Sequence, residues 1–299
     1  MSLLPHLVVD CRATLGEGLQ WHDASQSWLW TDIQSARIWR HHPASMMTQS
    51  CPVRDRVGTF AVSRSGRLLL GFAKGLAWAD VDWSLGVAAY ESVAAVEPDL
   101  PTTRINDGRT DRAGYLVFGT MNEAIGHKPI GRIYQYSLRH GLRPLSVGMV
   151  GIANSICFSP SGTTMYFCDS MAGQIMRCDY DAETATVGDI APLVVLGPGD
   201  GLPDGSVVDV EGAIWNAQWG GAVVRRYSDQ GTLLAESPLP VAHVTCPAFG
   251  GPGLNHLYAT TARMDVAAER LARQPETGGV FEVDAHGARG IVDTLFEDQ

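Results

Sequence analysis

Residues 151–162 read GIANSICFSPSG, with an amide, Asn154, set among small residues before an apolar segment that ends in a Ser-Pro-Ser-Gly turn. Taken alone, such an Asn is turn chemistry, since its side chain bonds nearby backbone and tolerates left-handed conformations. The stretch means more because its spacing recurs. Asn154 stands eight residues before Gly162, Asp204 eight before Gly212 in GLPDGSVVDVEG, and Asn106 eight before Gly114 in RINDGRTDRAG. Gly58 precedes Gly66, Thr245 precedes Gly253 and Glu17 precedes Ser25 by the same eight residues.

These six copies start at 17, 58, 106, 154, 204 and 245, separated by 41, 48, 48, 50 and 41 residues. After each turn comes a short apolar strand, a second turn and another strand with alternating polar residues, as in WLWTDIQSARIWRH and MYFCDSMAGQIMRCD. Such β-branched and aromatic runs read as hairpins. Repeats of this length predict an all-β fold, a six-bladed β-propeller with four-stranded blades around a central channel. Residues 1–299 are expected to form a single domain. By analogy with other propellers, the strand around residues 7–9 is expected to complete the last blade. Only segment 266–273 reads as helical, an insertion in the sixth blade.

The bulk numbers agree with a soluble globular chain: 299 residues, 45% hydrophobic and 18% charged, with 33 Gly and 16 Pro to supply turns. A formal charge of -10 and the lack of a basic run argue against a nucleic-acid partner. Six cysteines form no CxxC pair and are too sparse for a disulfide scaffold, so reduced thiols are expected. No stretch has the length to cross a bilayer, and the N-terminus lacks a cationic region and a cleavage site. No membrane association and a cytoplasmic location are therefore expected.

In a propeller the innermost strand of each blade runs along the channel, so equivalent positions converge on the axis. Here they are Glu17, Gly58, Asn106, Asn154, Asp204 and Thr245. Two carboxylates and two amides at a shared position suit a hard divalent cation, whereas closed zinc sites prefer Cys and His. Glu17 and Asp204 would balance its charge and Asn154 would add a neutral oxygen. Arg104, close to Asn106, is expected to face the channel and bind substrate oxygens. Glu123 lies on a loop expected to reach the channel mouth.

Other motifs fall away. The glycine-rich segment 197–205 lacks the Lys-Ser/Thr of a P-loop, and neither GxSxG nor HExxH occurs. The pair His41-His42 reads as a solvated hairpin end. Trp21, Trp28, Trp30 and Trp215 read as blade cores.

Taken together, LGEGLQWH, WTDI, RINDGRTDRAGYLVFGTM, GIANSICFSPSGTTMYFCDS, LPDGSVVDVEGAIWNAQWGGAVVRR and FGGPGLNHLYATTAR resemble the gluconolactonase, regucalcin and senescence marker protein family. The likeness runs from about residue 11 to 285. It implies a six-bladed propeller whose enzymes hydrolyse lactones with one divalent metal ion in the channel. By motif it implies Glu17, Asn154 and Asp204 as metal ligands, Asp204 also as the catalytic residue, and Arg104, Asn106 and Glu123 as substrate contacts. Leu19 stands where the family usually has Pro. The C-terminal pattern VTCPAFGGPG, LYATTAR and QPETGGVF looks most like bacterial sugar-acid lactonases, which open aldonolactones such as xylono-, arabinono-, galactono- or gluconolactone.

The mechanism expected on that resemblance is metal-assisted ester hydrolysis, with Asp204 as general base or as nucleophile. The metal can be Ca²⁺, Zn²⁺, Mn²⁺, Mg²⁺ or Fe²⁺. Two alternatives stay open at this point, a phosphotriesterase-like hydrolase and a non-catalytic calcium-binding propeller.

Overall fold

Each repeat folds into one antiparallel sheet, and the six sheets form a six-bladed β-propeller. The computed structural model describes residues 4–299; residues 1–3, at the start of the expected domain, lie outside the described residues. The innermost strands of blades 1 to 6 are Gly16–His22, Val57–Val62, Thr103–Thr110, Ala153–Phe158, Leu202–Val208 and Val244–Gly250. Each contains its frame residue, and each breaks register with the second strand beside it. The shifts fall between Glu17 and Gln20, Val57 and Thr59, Ile105 and Asp107, Asn154 and Cys157, Pro203 and Ser206, and Val244 and Pro247. A β-bulge gives one strand an extra residue and re-aims its side chains. One irregularity, repeated in every blade, thus sets the direction of the frame position.

The glycines that end the frame make the hairpin turns. Gly66, Gly114, Gly162, Gly212 and Gly253 have φ between 77 and 89°, a region open to glycine because it has no Cβ. Blade 1 has Ser25 there, inside a short 3-10 turn, and the left-handed residue is Gln26 with φ 48°.

Strand His6–Val9 pairs antiparallel with Val280–Val283 and completes blade 6, as expected. Helix Ala268–Arg273 interrupts the same blade, between His256–Thr261 and Val280–Val283. Blade 4 departs from the four-strand pattern. Its outer edge is split into Thr186–Val187 and Ala191–Val195, both paired to the long third strand Gln174–Asp181.

Apolar side chains fill the spaces between blades. Trp28 of blade 1 stacks on Tyr258 of blade 6 at 4.2 Å, and Leu19 is buried in the same cluster with Trp21, Trp30 and Cys246. All six cysteines are free thiols. His41 corrects the sequence reading: it is 1% exposed, with Nδ1 2.8 Å from Thr48 Oγ1. It lies on a third strand that Met47–Pro52 covers from outside.

The C-terminal residues cross the far end of the channel. Gly290 bridges to Asp209 of blade 5, Asp293 pairs with Arg109 of blade 3 at 2.8 Å, and the Phe296 N–H donates to Val62 of blade 2. The Phe296 ring is fully buried between Trp78 and Tyr136, at 5.6 and 6.0 Å. Phe296→Ala is expected to cost about 3–5 kcal/mol, the usual range for emptying a buried aromatic site, read as a lower midpoint in urea unfolding.

Candidate active site

Five residues singled out in the sequence meet at one end of the channel. Glu17, Arg104, Asn106, Asn154 and Asp204, from blades 1, 3, 4 and 5, line a cavity of about 220 Å³. The other two frame positions serve the ring. A Cβ on Gly58 would lie 2.2 Å from the Ile105 carbonyl oxygen, so blades 2 and 3 meet there backbone to backbone. Thr245 turns its hydroxyl onto blade 1 and donates to the Gly16 carbonyl at 2.6 Å.

The amides are held head to tail. Arg104 Nη1 donates to Asn106 Oδ1 at 2.7 Å, and Asn106 Nδ2 donates to Asn154 Oδ1 at 3.1 Å. Asn154 Nδ2 then donates to Ser170 Oγ at 2.9 Å, and Ser170 donates to the Pro203 carbonyl at 2.7 Å. This relay fixes which amide atom is oxygen. It leaves the Asn154 oxygen one lone pair free for another partner.

The carboxylates are less well compensated, with the Arg104 charge offsetting only part of the cost of ionising Glu17. Glu17 and Asp204 have no ion-pair partner among the described residues; each accepts the backbone N–H of the glycine that follows it, Gly18 or Gly205. Burial, reinforced by the charge of Asp107, pushes Glu17 up to about 8. Burial, then the charges of Glu17 and Asp107, raise Asp204 well above the usual carboxylate range. Two buried, coupled carboxylates without an ion-pair partner oppose ionisation, and a cation between them removes the penalty. Among the described residues no three His, Cys, Asp or Glu side chains gather as a metal site. The donor set is instead two carboxylates and one amide oxygen, the chemistry of a hard divalent cation.

Glu123 is not among the residues that line the cavity but stands directly behind one of them, Arg104. Its Oε1 accepts from Arg104 Nε at 3.1 Å, while Arg56 holds both of its oxygens at 2.6 and 2.9 Å. Two guanidiniums occupy the carboxylate and keep it beside Arg104.

The fold and the sequence motifs agree with comparison to known proteins. A family model described as the SMP-30/Gluconolactonase/LRE-like region matches residues 15–263. The chain belongs to this family. Among SMP-30/gluconolactonase relatives, L-arabinolactonase of Azospirillum brasilense is 40% identical over 277 residues, covering 92% of this chain and 90% of that protein. Pentonolactonase of Haloferax volcanii is 36% identical over 260 residues, 86% of this chain and 85% of that one. The crystal structure of a calcium-binding protein, regucalcin from Agrobacterium tumefaciens, matches with a TM-score of 0.90 at 31% identity, over 99% of this chain and 98% of that one.

Several residues of this family member's site went unread in its sequence. Asp32 accepts the N–H groups of Thr14 and Leu15 at 3.0 Å, just before Glu17. Asp169 accepts those of Gly151 and Ile152 at 2.7 and 3.1 Å, just before Asn154. The two aspartates hold equivalent places, each fifteen residues past its frame position. Met121 and Trp219 occupy the same register in blades 3 and 5 and line the cavity. A second shared spacing was therefore present to be found.

Proposed function

We propose that the protein hydrolyses a sugar lactone, an aldonolactone such as arabinono-, xylono-, galactono- or gluconolactone, to the sugar acid. It is a hydrolase acting on a carboxylic ester. The observation that carries this reading is the convergence of two buried carboxylates that form no ion pair, an oriented amide and a buried guanidinium on one small cavity. The names of the L-arabinolactonase and pentonolactonase relatives support it.

Glu17, Asn154 and Asp204 would hold one divalent cation, Ca²⁺, Mg²⁺, Mn²⁺, Zn²⁺ or Fe²⁺, whose chemistry is to polarise the lactone carbonyl and stabilise the oxyanion. Asp204 takes a proton from the attacking water. Arg104, desolvated and held by Glu123, directs its charge at the oxygens of the sugar. Asn106 keeps Arg104 and Asn154 in register, and its oxygen has a second lone pair for a hydroxyl. In this reading Glu123 is a positioning residue. The whole chain, residues 1–299, works as one propeller unit, and six free thiols suit the cytoplasm.

A calcium-binding propeller without catalysis is the second reading, favoured by the regucalcin match. It gives no task to Arg104. The deciding experiment is acid release in weak buffer from a panel of aldonolactones, with chelated protein and each divalent metal restored in turn. Metal-dependent hydrolysis of one lactone is expected. Rates equal to spontaneous opening throughout, in protein that binds metal, would favour the second reading.

A further inference from the structure

Beyond the polar floor, the cavity wall is largely apolar, built from residues such as Met121, Met171, Leu202 and Trp219. A sugar lactone carries hydroxyls around its ring, and each one buried against such a wall needs a partner. Two polar side chains stand among these apolar ones, His127 and Asp265. Asp265 is exposed, whereas His127 is half-buried.

We infer that His127 is a specificity-determining residue whose Nε2 accepts a hydrogen bond from a ring hydroxyl of the lactone, an inference that rests on the hydrolase reading above. Its Nδ1 lies 2.7 Å from the Asn122 carbonyl oxygen. A carbonyl only accepts, so Nδ1 carries the proton, and in the neutral ring Nε2 is left with its lone pair. Among the described residues Nε2 has no partner, and the ring lines the cavity.

The ring is set firmly. Asn122 donates through Nδ2 to the Lys128 carbonyl at 3.0 Å and accepts from Ala124 N–H at 3.1 Å, while His127 N–H donates to the Ala124 carbonyl at 2.9 Å. His127 itself has φ 43°, unusual for a residue with a side chain. A Cβ on Gly151 would stand 2.3 Å from the His127 carbonyl oxygen. The loop therefore rests directly on the chain that leads into Asn154. An acceptor held this way discriminates among hydroxylated substrates, because a site that bonds a hydroxyl disfavours the analogue lacking it.

The test compares kcat/KM for the best aldonolactone of the panel with that for unsubstituted γ-butyrolactone, in the metal-loaded wild type, His127→Leu and His127→Gln. His127→Leu is expected to lower the ratio of the two values about ten-fold, the scale of one hydrogen bond, with γ-butyrolactone turnover retained as the control for folding. His127→Gln, which keeps an acceptor oxygen, is expected to restore part of the ratio. An active wild type whose ratio is unchanged by His127→Leu overturns the inference alone. So does an equal fall on both substrates, which marks a structural role. A wild type inert towards every lactone overturns the hydrolase reading and this inference with it.

Discussion

Asp204→Ala will leave a folded propeller that opens no lactone above the spontaneous rate. The fold holds Asp204 by its backbone: its carbonyl accepts from Ser155 Oγ at 2.5 Å and from Asn216 Nδ2 at 3.0 Å. Alanine keeps both bonds. Removing the carboxylate also takes away a negative charge beside Glu17, so the metal-free variant should melt no lower than the wild type. Loss of a general base alone costs about 10²–10⁴-fold, and here the same side chain is a proposed cation ligand. Acid release measured beside a circular-dichroism melt checks both halves. Turnover that survives the substitution would remove Asp204 from the reaction as base and as nucleophile. Label from ¹⁸O water found in the Asp204 carboxylate after turnover would identify it as the nucleophile, through attack of water on the Asp204 carbonyl of a mixed anhydride with release of the sugar acid.

Metal-free protein should lose stability as the pH rises from about 5 to 8, and a divalent cation should abolish that loss. The sign follows from the carboxylates. Glu17 is raised from 4.5 to about 8 in the fold, and Asp204 is raised too. The folded state then binds more protons than the unfolded chain between the two values, so stability is full below the unfolded value and falls as pH climbs through the folded one. A cation held by both carboxylates reverses the preference, because it binds the ionised forms. The rise in melting temperature on adding each divalent metal should therefore be larger at pH 8 than at pH 5. A rise independent of pH would mean that the cation binds elsewhere.

The frame positions were legible because every blade solves the same packing problem. Each inner strand carries a bulge at one register, so Glu17, Asn106, Asn154 and Asp204 betray themselves by spacing before any coordinates exist. The frame could not say which members face inward. Gly58 and Thr245 share it, yet one is fixed by the approach of Ile105 and the other by Gly16. Long-range partners were illegible for a different reason. Nothing near Glu123 announces Arg56, sixty-seven residues earlier, and the tail around Phe296 follows no repeat. His127 depends on a loop that exists in one blade only, so no second copy could point to it.

The pairing of His6–Val9 with Val280–Val283 has a consequence for synthesis. Most strand pairs join neighbours in sequence and can form as soon as they leave the ribosome. Blade 6 cannot, because its outer strand is made first and its partner nearly last. Loop closure on this scale is slow relative to hairpin formation, so blades 1 and 5 are held in place only at the end. The nascent chain carries Glu17 and Asp204 long before it has a cavity. A chain clipped before residue 280 would display an open strand edge, a surface that recruits other chains, and would be expected to aggregate instead of surviving as a weak enzyme.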